Sequence, residues 1–133
     1  MIHFIFKFLS DSADTPFALA LRDLGVTHRI FSGKLRSLHY RHRIQLILFG
    51  LPRICLFAMR AVWWSLVKAQ PRPDAVVVGS HLEALFFALG RRLLRRRVRI
   101  ILLGFIYTRR NNRWLEQLRQ TYFNWLFGRI DLV

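Results

Sequence analysis

The fifteen residues Val76–Gly90, VVVGSHLEALFFALG, contain the end of a strand, a tight turn and the start of a helix. A β-branched run of this kind is typical of a strand that is buried on both faces of a parallel sheet. Ser80 and Glu83 have the spacing of a capping box, in which each side chain pairs with a backbone N–H at the helix start. The stretch therefore predicts a strand followed at once by a helix, with Glu83 in a structural role.

Polar side chains follow this strand and the next one along the chain. Ser80 and His81 come directly after the first, and Tyr107, Arg109 and Arg110 come after the second. The carboxyl ends of strands are where open α/β sheets bind their ligands. The five residues are therefore candidate ligand contacts at one edge of the sheet. The alternative for His81 is an ordinary residue of the first helical turn.

Strand patterns alternate with helical patterns along the whole chain. The predicted strands are Ile2–Leu9, Val26–Phe31, Ala75–Val78 and Arg99–Leu103, and the helices begin at Pro16, His81 and Arg113. This order predicts a parallel sheet with right-handed crossovers and helices on both faces, an α/β, Rossmann-like fold. The length of 133 residues suits one domain, residues 1–133. The last residues, IDLV, begin another strand, so we expect a sheet that is incomplete at the C-terminus.

Helical periodicity places the apolar residues of two of these helices on one side. For the helix predicted over His81–Arg97, one face carries Leu82, Leu85, Phe86, Leu89 and Leu93. For the helix Arg113–Phe127, the predicted core face consists of Trp114, Leu115, Leu118, Tyr122, Trp125 and Leu126.

Residues 34–69 form a basic and apolar segment that raises the question of a membrane span. A spanning helix needs about 20 predominantly apolar residues. Gly50 and Pro52 interrupt the apolar run, and Arg53 and Arg60 follow them. Because a central arginine is costly in a bilayer, we predict two helical pieces that lie in the membrane plane or pack on the sheet.

The chain is strongly basic, with 22 Lys and Arg against seven acidic residues and a formal charge of +15. Such a charge requires an anionic partner, either nucleic acid or lipid headgroups. Four Trp and 12 Phe accompany the charge, as in amphipathic membrane anchors, and no nucleic-acid-binding signature is present. We therefore expect an anionic membrane surface as partner rather than nucleic acid. The predicted membrane-surface residues are Arg53, Arg60, Arg91, Arg92, Arg95 and Arg96, of which the last four alternatively complement a helix dipole.

Cys55 is the only cysteine, so the chain has no internal disulfide and no cysteine-based zinc site. His39 and His42 have a spacing that a metal could use, but Arg41 and Arg43 stand beside them, which favours a basic surface. No metal site is predicted. The start, MIHFIFKFLSD, lacks the apolar run of a secretory signal. We expect a cytoplasmic protein, peripheral to the inner face of the membrane.

Three stretches carry a resemblance to a known family: LRDLGVTHRIFSG, PDAVVVGSHLEALFFALGRRLLRRRVRIILLGF and LRQTYFNWLFGRIDLV. They resemble the N-terminal half of GT-B glycosyltransferases, in the large retaining group similar to family four. That family has two Rossmann-like domains facing a cleft. The first binds the acceptor and the second binds the nucleotide sugar.

The resemblance implies the acceptor-binding half of a membrane-associated glycosyltransferase. Such an enzyme would transfer sugar from a nucleotide sugar to a lipid-linked or cell-envelope glycan acceptor. Ser80, His81, Tyr107, Arg109 and Arg110 would then contact the acceptor. The C-terminal donor domain is missing, so we expect no activity alone and no cofactor, the nucleotide sugar entering only as a substrate of the joined enzyme. The alternatives are a small basic membrane-surface protein without catalysis and a nucleic-acid-binding module.

Overall fold

The computed structural model describes residues 1–6, 16–33, 43–103 and 113–131. Its strands are β1 Ile2–Phe6, β2 His28–Ser32, β3 Ala75–Val78 and β4 Arg99–Leu102. Its α-helices are α1 Pro16–Asp23, α2 Arg43–Gln45, α3 Leu51–Val62, α4 His81–Leu93 and α5 Arg113–Phe127, with π-helical segments at Leu46–Gly50 and Trp63–Lys68.

The four strands form one parallel sheet in the order β2-β1-β3-β4. This confirms the predicted α/β, Rossmann-like fold. The chain runs from β1 to β2 on one side and then returns to place β3 and β4 on the other side of β1. Right-handed crossovers therefore place α1 on the face of the sheet opposite to α3 and α4. The predicted extension of β1 to Leu9 lies outside the described residues.

Most of the core lies on one face of the sheet, because alternate strand residues point to the same side. Its strand residues are Ile5, Val76, Val78, Ile100 and Leu102, and its helix residues are Phe57, Ala61, Leu66, Ala84, Phe87, Ala88, Phe123 and Leu126. On the opposite face Phe4 and Val77 are buried, as is Ala18 of α1.

Residues 43–68 of the basic segment form a single helix rather than the two predicted pieces. Residues 43–68, here called the long helix, continue from α2 through the first π-helical segment, α3 and the second π-helical segment without a break. Gly50 itself has helical dihedrals, φ −75° and ψ −49°. Pro52 lacks a backbone N–H and crowds the preceding turn, and the wider π-helical turn directly before α3 accommodates it. Proline therefore modifies this helix without ending it.

The long helix packs closely on α4 through small residues. A Cβ atom added to Gly90 would lie 2.6 Å from Cγ1 of Val62, so a larger residue at this crossing would force the Val62 side chain to move. Ala58 and Ala61 are fully buried on the long helix, and Ala84 is fully buried on α4. This seam between the two helices leaves no room for larger side chains.

The apolar face of α4 is not the face that the seam buries, although Leu85 on its margin packs against the core. Leu89 is 47% exposed and Leu93 is 85% exposed. The buried residues are Glu83, Ala84, Phe87 and Ala88. In α5, Leu126 is buried and Tyr122 and Trp125 pack against the core as predicted, whereas Trp114, Leu115 and Leu118 are exposed and Phe123 is buried.

Helix α4 ends at Leu93, four residues before its predicted end. Arg95 has a φ of 49°, in the left-handed region that usually holds glycine. The Arg96 N–H donates to the Arg91 carbonyl at 3.0 Å, and the Arg95 N–H donates to the Arg92 carbonyl at 3.3 Å. These two bonds form a Schellman motif. The end was missed because an arginine, not a glycine, occupies the left-handed position.

The residues after α5 return to the edge of the sheet. The Asp131 N–H donates to the Ile100 carbonyl at 2.9 Å, and Oδ2 of Asp131 accepts from the Ile100 N–H at 2.8 Å. Asp131 therefore lies beside β4, where the next strand was predicted to begin. The two residues that follow it lie outside the described part of the chain.

A histidine that the sequence did not single out lies beneath the long helix. His3 of β1 is fully buried, its Nδ1 lies 2.7 Å from Oγ of Ser65, and its ring packs 4.8 Å from that of Trp64. Burial, with smaller effects from Arg29 and the N-terminal charge, lowers the pKa of His3 from 6.5 to about 4. The ring is therefore neutral in the folded protein near neutral pH.

This buried histidine predicts a loss of stability in mild acid. Between pH 6.5 and about 4 the unfolded chain binds a proton that the folded chain does not, so the free energy of unfolding falls as the pH drops. The loss is up to roughly 3 kcal/mol. In urea titrations from pH 7 to 4, His3→Gln should flatten this slope. The control Ser65→Ala should lower stability at every pH and keep the slope of the unfolding free energy against pH. The same slope in His3→Gln as in the parent chain would contradict its assignment to His3.

Candidate functional site

The start of α4 forms the predicted capping box. The Glu83 N–H donates to Oγ of Ser80 at 3.5 Å, and the N–H groups of Ser80 and Gly79 each donate to Oε2 of Glu83 at 3.1 Å. Glu83 is fully buried. The structural role predicted for Glu83 is confirmed, and the hydroxyl of Ser80 is used in the same interaction.

His81 lies at the carboxyl end of β3 and also contacts α5. Its ring meets those of Tyr122 and Phe123 edge-on, with centroid distances of 6.3 and 5.7 Å. Burial raises the pKa of Tyr122 above its ordinary value. Tyr107, Arg109 and Arg110 lie outside the described residues. The ligand-binding role of all five residues at this edge stays a prediction, and Tyr122 is a neighbour of His81 that the sequence did not indicate.

Large apolar side chains cover the outer side of the long helix and of α4. We call this the apolar surface, and its exposed members are Leu56, Met59, Trp63, Val67, Leu89, Leu93 and Leu94. On the long helix they recur every three or four residues, which places them on one side. Trp63 is 63% exposed, although tryptophan is usually well buried.

A groove of about 830 Å³ joins the two halves of the apolar surface. Its floor includes Gly90 and Val62, where the two helices are closest. Its walls are Met59, Trp63, Val67, Phe86, Leu89, Leu93 and Leu94, with Arg92 and Arg95 at the border. The groove is therefore apolar with a basic margin.

Four of the six predicted membrane-surface arginines border the apolar surface. Arg53 and Arg60 are exposed and seven residues apart, so they lie on the same side of the long helix. Arg92 and Arg95 line the groove.

Arg91 instead makes contacts inside the protein. Its guanidinium donates to Oδ2 of Asp131 at 2.7 Å, to the Val98 carbonyl at 3.1 Å and to the Arg129 carbonyl. Arg91 thus ties α4 to the chain after α5. Arg96, the sixth predicted residue, lines a different cavity.

This second cavity lies at the amino ends of the strands and has a volume of about 880 Å³. It is lined by Ile2, Asp74, Ala75, Arg91, Arg96, Arg97, Val98, Arg99 and Asp131. The Met1 amino group donates to Asp74 at 2.5 Å, and this bond lowers the pKa of the Asp74 carboxyl. The arginine-rich run was visible in the sequence, but its division between two cavities depends on the turn at Arg95.

By length and composition alone, Ile47–Lys68 could cross a membrane, with 22 residues and a mean hydropathy of 1.4. This is weak evidence, because core helices can meet the same criteria. Among the described residues, no group of three or more His, Cys, Asp or Glu side chains is placed to hold a metal ion.

Comparison with known proteins identifies no relative of this chain. No protein-family model matches the chain, no curated protein matches its sequence, and no solved structure matches its fold.

Proposed function

We propose that this chain is the acceptor-binding half of a membrane-associated glycosyltransferase, held on an anionic, cytoplasmic membrane surface by the long helix and α4. The observation that carries the membrane part is the apolar surface with its bordering arginines. Contiguous exposed apolar surfaces that are rimmed by polar residues mark interaction sites. The glycosyltransferase part rests on the sequence resemblance and on the parallel α/β fold.

The composition of the surface favours lipid as its partner. Trp63 and Leu93 offer apolar area that can enter the acyl boundary of a membrane, while Arg60 and Arg95 can reach anionic headgroups beside them. Arginine and lysine stems also contribute apolar area at such an interface. This combination of side chains is the one that membrane-surface helices use.

The packing of the long helix favours a position in the membrane plane over a span. Ala58, Ala61 and Ser65 are fully buried against the rest of the protein, so lipid cannot surround the helix in this fold. Arg53 and Arg60 lie within the part that would cross. A charged side chain at the centre of a bilayer is costly, whereas both arginines can reach headgroups from a helix lying in the plane.

The edge that holds Ser80 and His81 is the proposed site of acceptor contact. It lies at the carboxyl ends of the strands, where ligands of open α/β sheets bind. Glycosyl transfer then requires a donor domain to bring the nucleotide sugar into a near-attack arrangement.

Membrane docking predicts that binding to anionic vesicles depends both on the apolar side chains of the surface and on its bordering arginines. In vesicle sedimentation, binding should rise with the fraction of anionic lipid and fall with salt, because headgroup attraction is screened. Arg60→Ala should weaken it about fivefold. Trp63→Ala should weaken it about tenfold through lost apolar burial. Arg22→Ala, an exposed arginine on the opposite face of the sheet, is the matched control and should have no effect.

Equal binding to neutral and anionic vesicles would contradict the docking proposal. So would a much tighter, salt-sensitive affinity for RNA or DNA, which would support the nucleic-acid alternative.

Acceptor binding predicts a preference that anionic charge alone does not produce. Vesicles that carry a lipid-linked glycan should retain more protein than glycan-free vesicles of the same surface charge, and His81→Ala should remove the difference. His28→Ala, at the amino end of β2, should keep it. Charge-dependent binding without a glycan preference would instead indicate a membrane-surface protein without an acceptor site.

The left-handed conformation of Arg95 predicts that replacing this residue by glycine raises stability and weakens membrane docking. Arg95→Gly should raise the free energy of unfolding by about 1 kcal/mol, because glycine adopts a positive φ without the steric cost of a Cβ atom. The same change should weaken binding to anionic vesicles. Arg92→Ala removes a neighbouring charge and should weaken binding with no such gain in stability. A urea midpoint for Arg95→Gly at or below that of the parent chain would refute the strain assignment.

A further inference from the structure

The structure assigns a second basic site to this chain, a phosphate-binding cavity at the amino ends of β3 and β4. It lies across the sheet from the edge that holds Ser80 and His81. Its basic residues are Arg91, Arg96, Arg97 and Arg99. The inference is independent of membrane docking and of acceptor binding.

The charge in this cavity is not balanced from within. Two aspartates line it, and both already have partners. Asp131 pairs with Arg91 at 2.7 Å, and Asp74 pairs with the Met1 amino group at 2.5 Å. Over the described ranges, no carboxylate lies within 4.0 Å of Arg96, Arg97 or Arg99. Arg99 acts electrostatically on Asp74 and helps to lower the pKa of that carboxyl, so Arg96 and Arg97 are the guanidinium groups left to attract an external anion.

Arg96 supplies a second and separate observation. Its Nε is buried and, among the residues that the structure describes, has no hydrogen-bond partner. A buried donor without a partner is costly, and native proteins rarely keep one without a ligand, water or function. The Schellman motif holds the Arg96 backbone through its N–H bond to the Arg91 carbonyl. The unsatisfied donor is thus built into a fixed turn.

The ligand that fits these features carries a phosphate or diphosphate group. Planar guanidinium groups bind phosphate oxygens through paired, charge-assisted hydrogen bonds. A volume of about 880 Å³ falls within the roughly 300–1,000 Å³ of ordinary ligand pockets, so there is room for more than the phosphate itself. Such a ligand could be a free phosphorylated compound or a lipid headgroup.

Calorimetric titration of the full chain with sodium pyrophosphate, at constant ionic strength, tests this site. We expect saturable binding that Arg96→Ala and Arg97→Ala each weaken about tenfold, the loss of a charge-assisted bond. Arg92→Ala and Arg95→Ala, in the same arginine run but on the groove, are the matched controls and should weaken binding far less than either test variant, because their charges act on this cavity only over a distance. Arg97 is exposed, so Arg97→Ala provides a test even if Arg96→Ala fails to fold.

Two further measurements distinguish a lipid headgroup from a free phosphorylated compound as the ligand. For a headgroup ligand, pyrophosphate should displace the chain from vesicles containing phosphatidic acid, and Arg97→Ala should weaken vesicle binding. For a free ligand, neither effect should occur while pyrophosphate still binds in solution. If millimolar pyrophosphate produces no saturable heat, the proposed site is overturned. Equal weakening by the Arg92 and Arg97 variants would do the same, because it would reveal a general charge effect or nucleic-acid-like binding.

Discussion

The close contact between the long helix and α4 is the interaction on which the rest of the structure depends. Gly90 lies so close to Val62 that a Cβ atom there would force the Val62 side chain to move, and Ala58 and Ala61 are buried along the same seam. Interiors are packed to the density of organic crystals, so a seam of small residues fixes how each helix is rotated about its axis. Once the small residues face inward, Leu93 and its large apolar neighbours must face outward. The contact between these two helices thus determines both the core and the apolar surface.

The two ends of α4 set what lies at each edge of the sheet. At its start, the capping box uses Ser80 and Glu83 to fix the turn after β3, which places His81 at the carboxyl edge. At its end, the Schellman motif reverses the chain around Arg95 and delivers it to β4 at the amino edge. Arg91 then joins this end to Asp131. Local backbone chemistry at two turns therefore separates a polar edge, an apolar surface and a basic cavity.

Features encoded by neighbouring residues could be predicted from the sequence, and those created by distant contacts could not. The β3 strand, the capping box and the bounds of α5 follow from local patterns, and all three agree with the structure. The outward face of α4 was missed because periodicity finds a stripe of large apolar residues without revealing which stripe meets a neighbour. The pairs His3–Ser65 and Arg91–Asp131 lie 62 and 40 residues apart in the chain, and no local signal connects them. For the site, the sequence indicated the arginines but not the turn that divides them.

That division has a consequence for how the two basic regions communicate. Arg95 and Arg96 are consecutive, so their Cα atoms are about 3.8 Å apart, well inside the Debye length of about 8 Å at physiological ionic strength. Their side chains serve different cavities, yet both contribute to one electrostatic potential. An anion near either cavity is therefore attracted by the whole arginine run, but only the guanidinium groups that line that cavity can bond to it directly. A single left-handed residue thus gives two adjacent arginines a common long-range field and separate short-range partners.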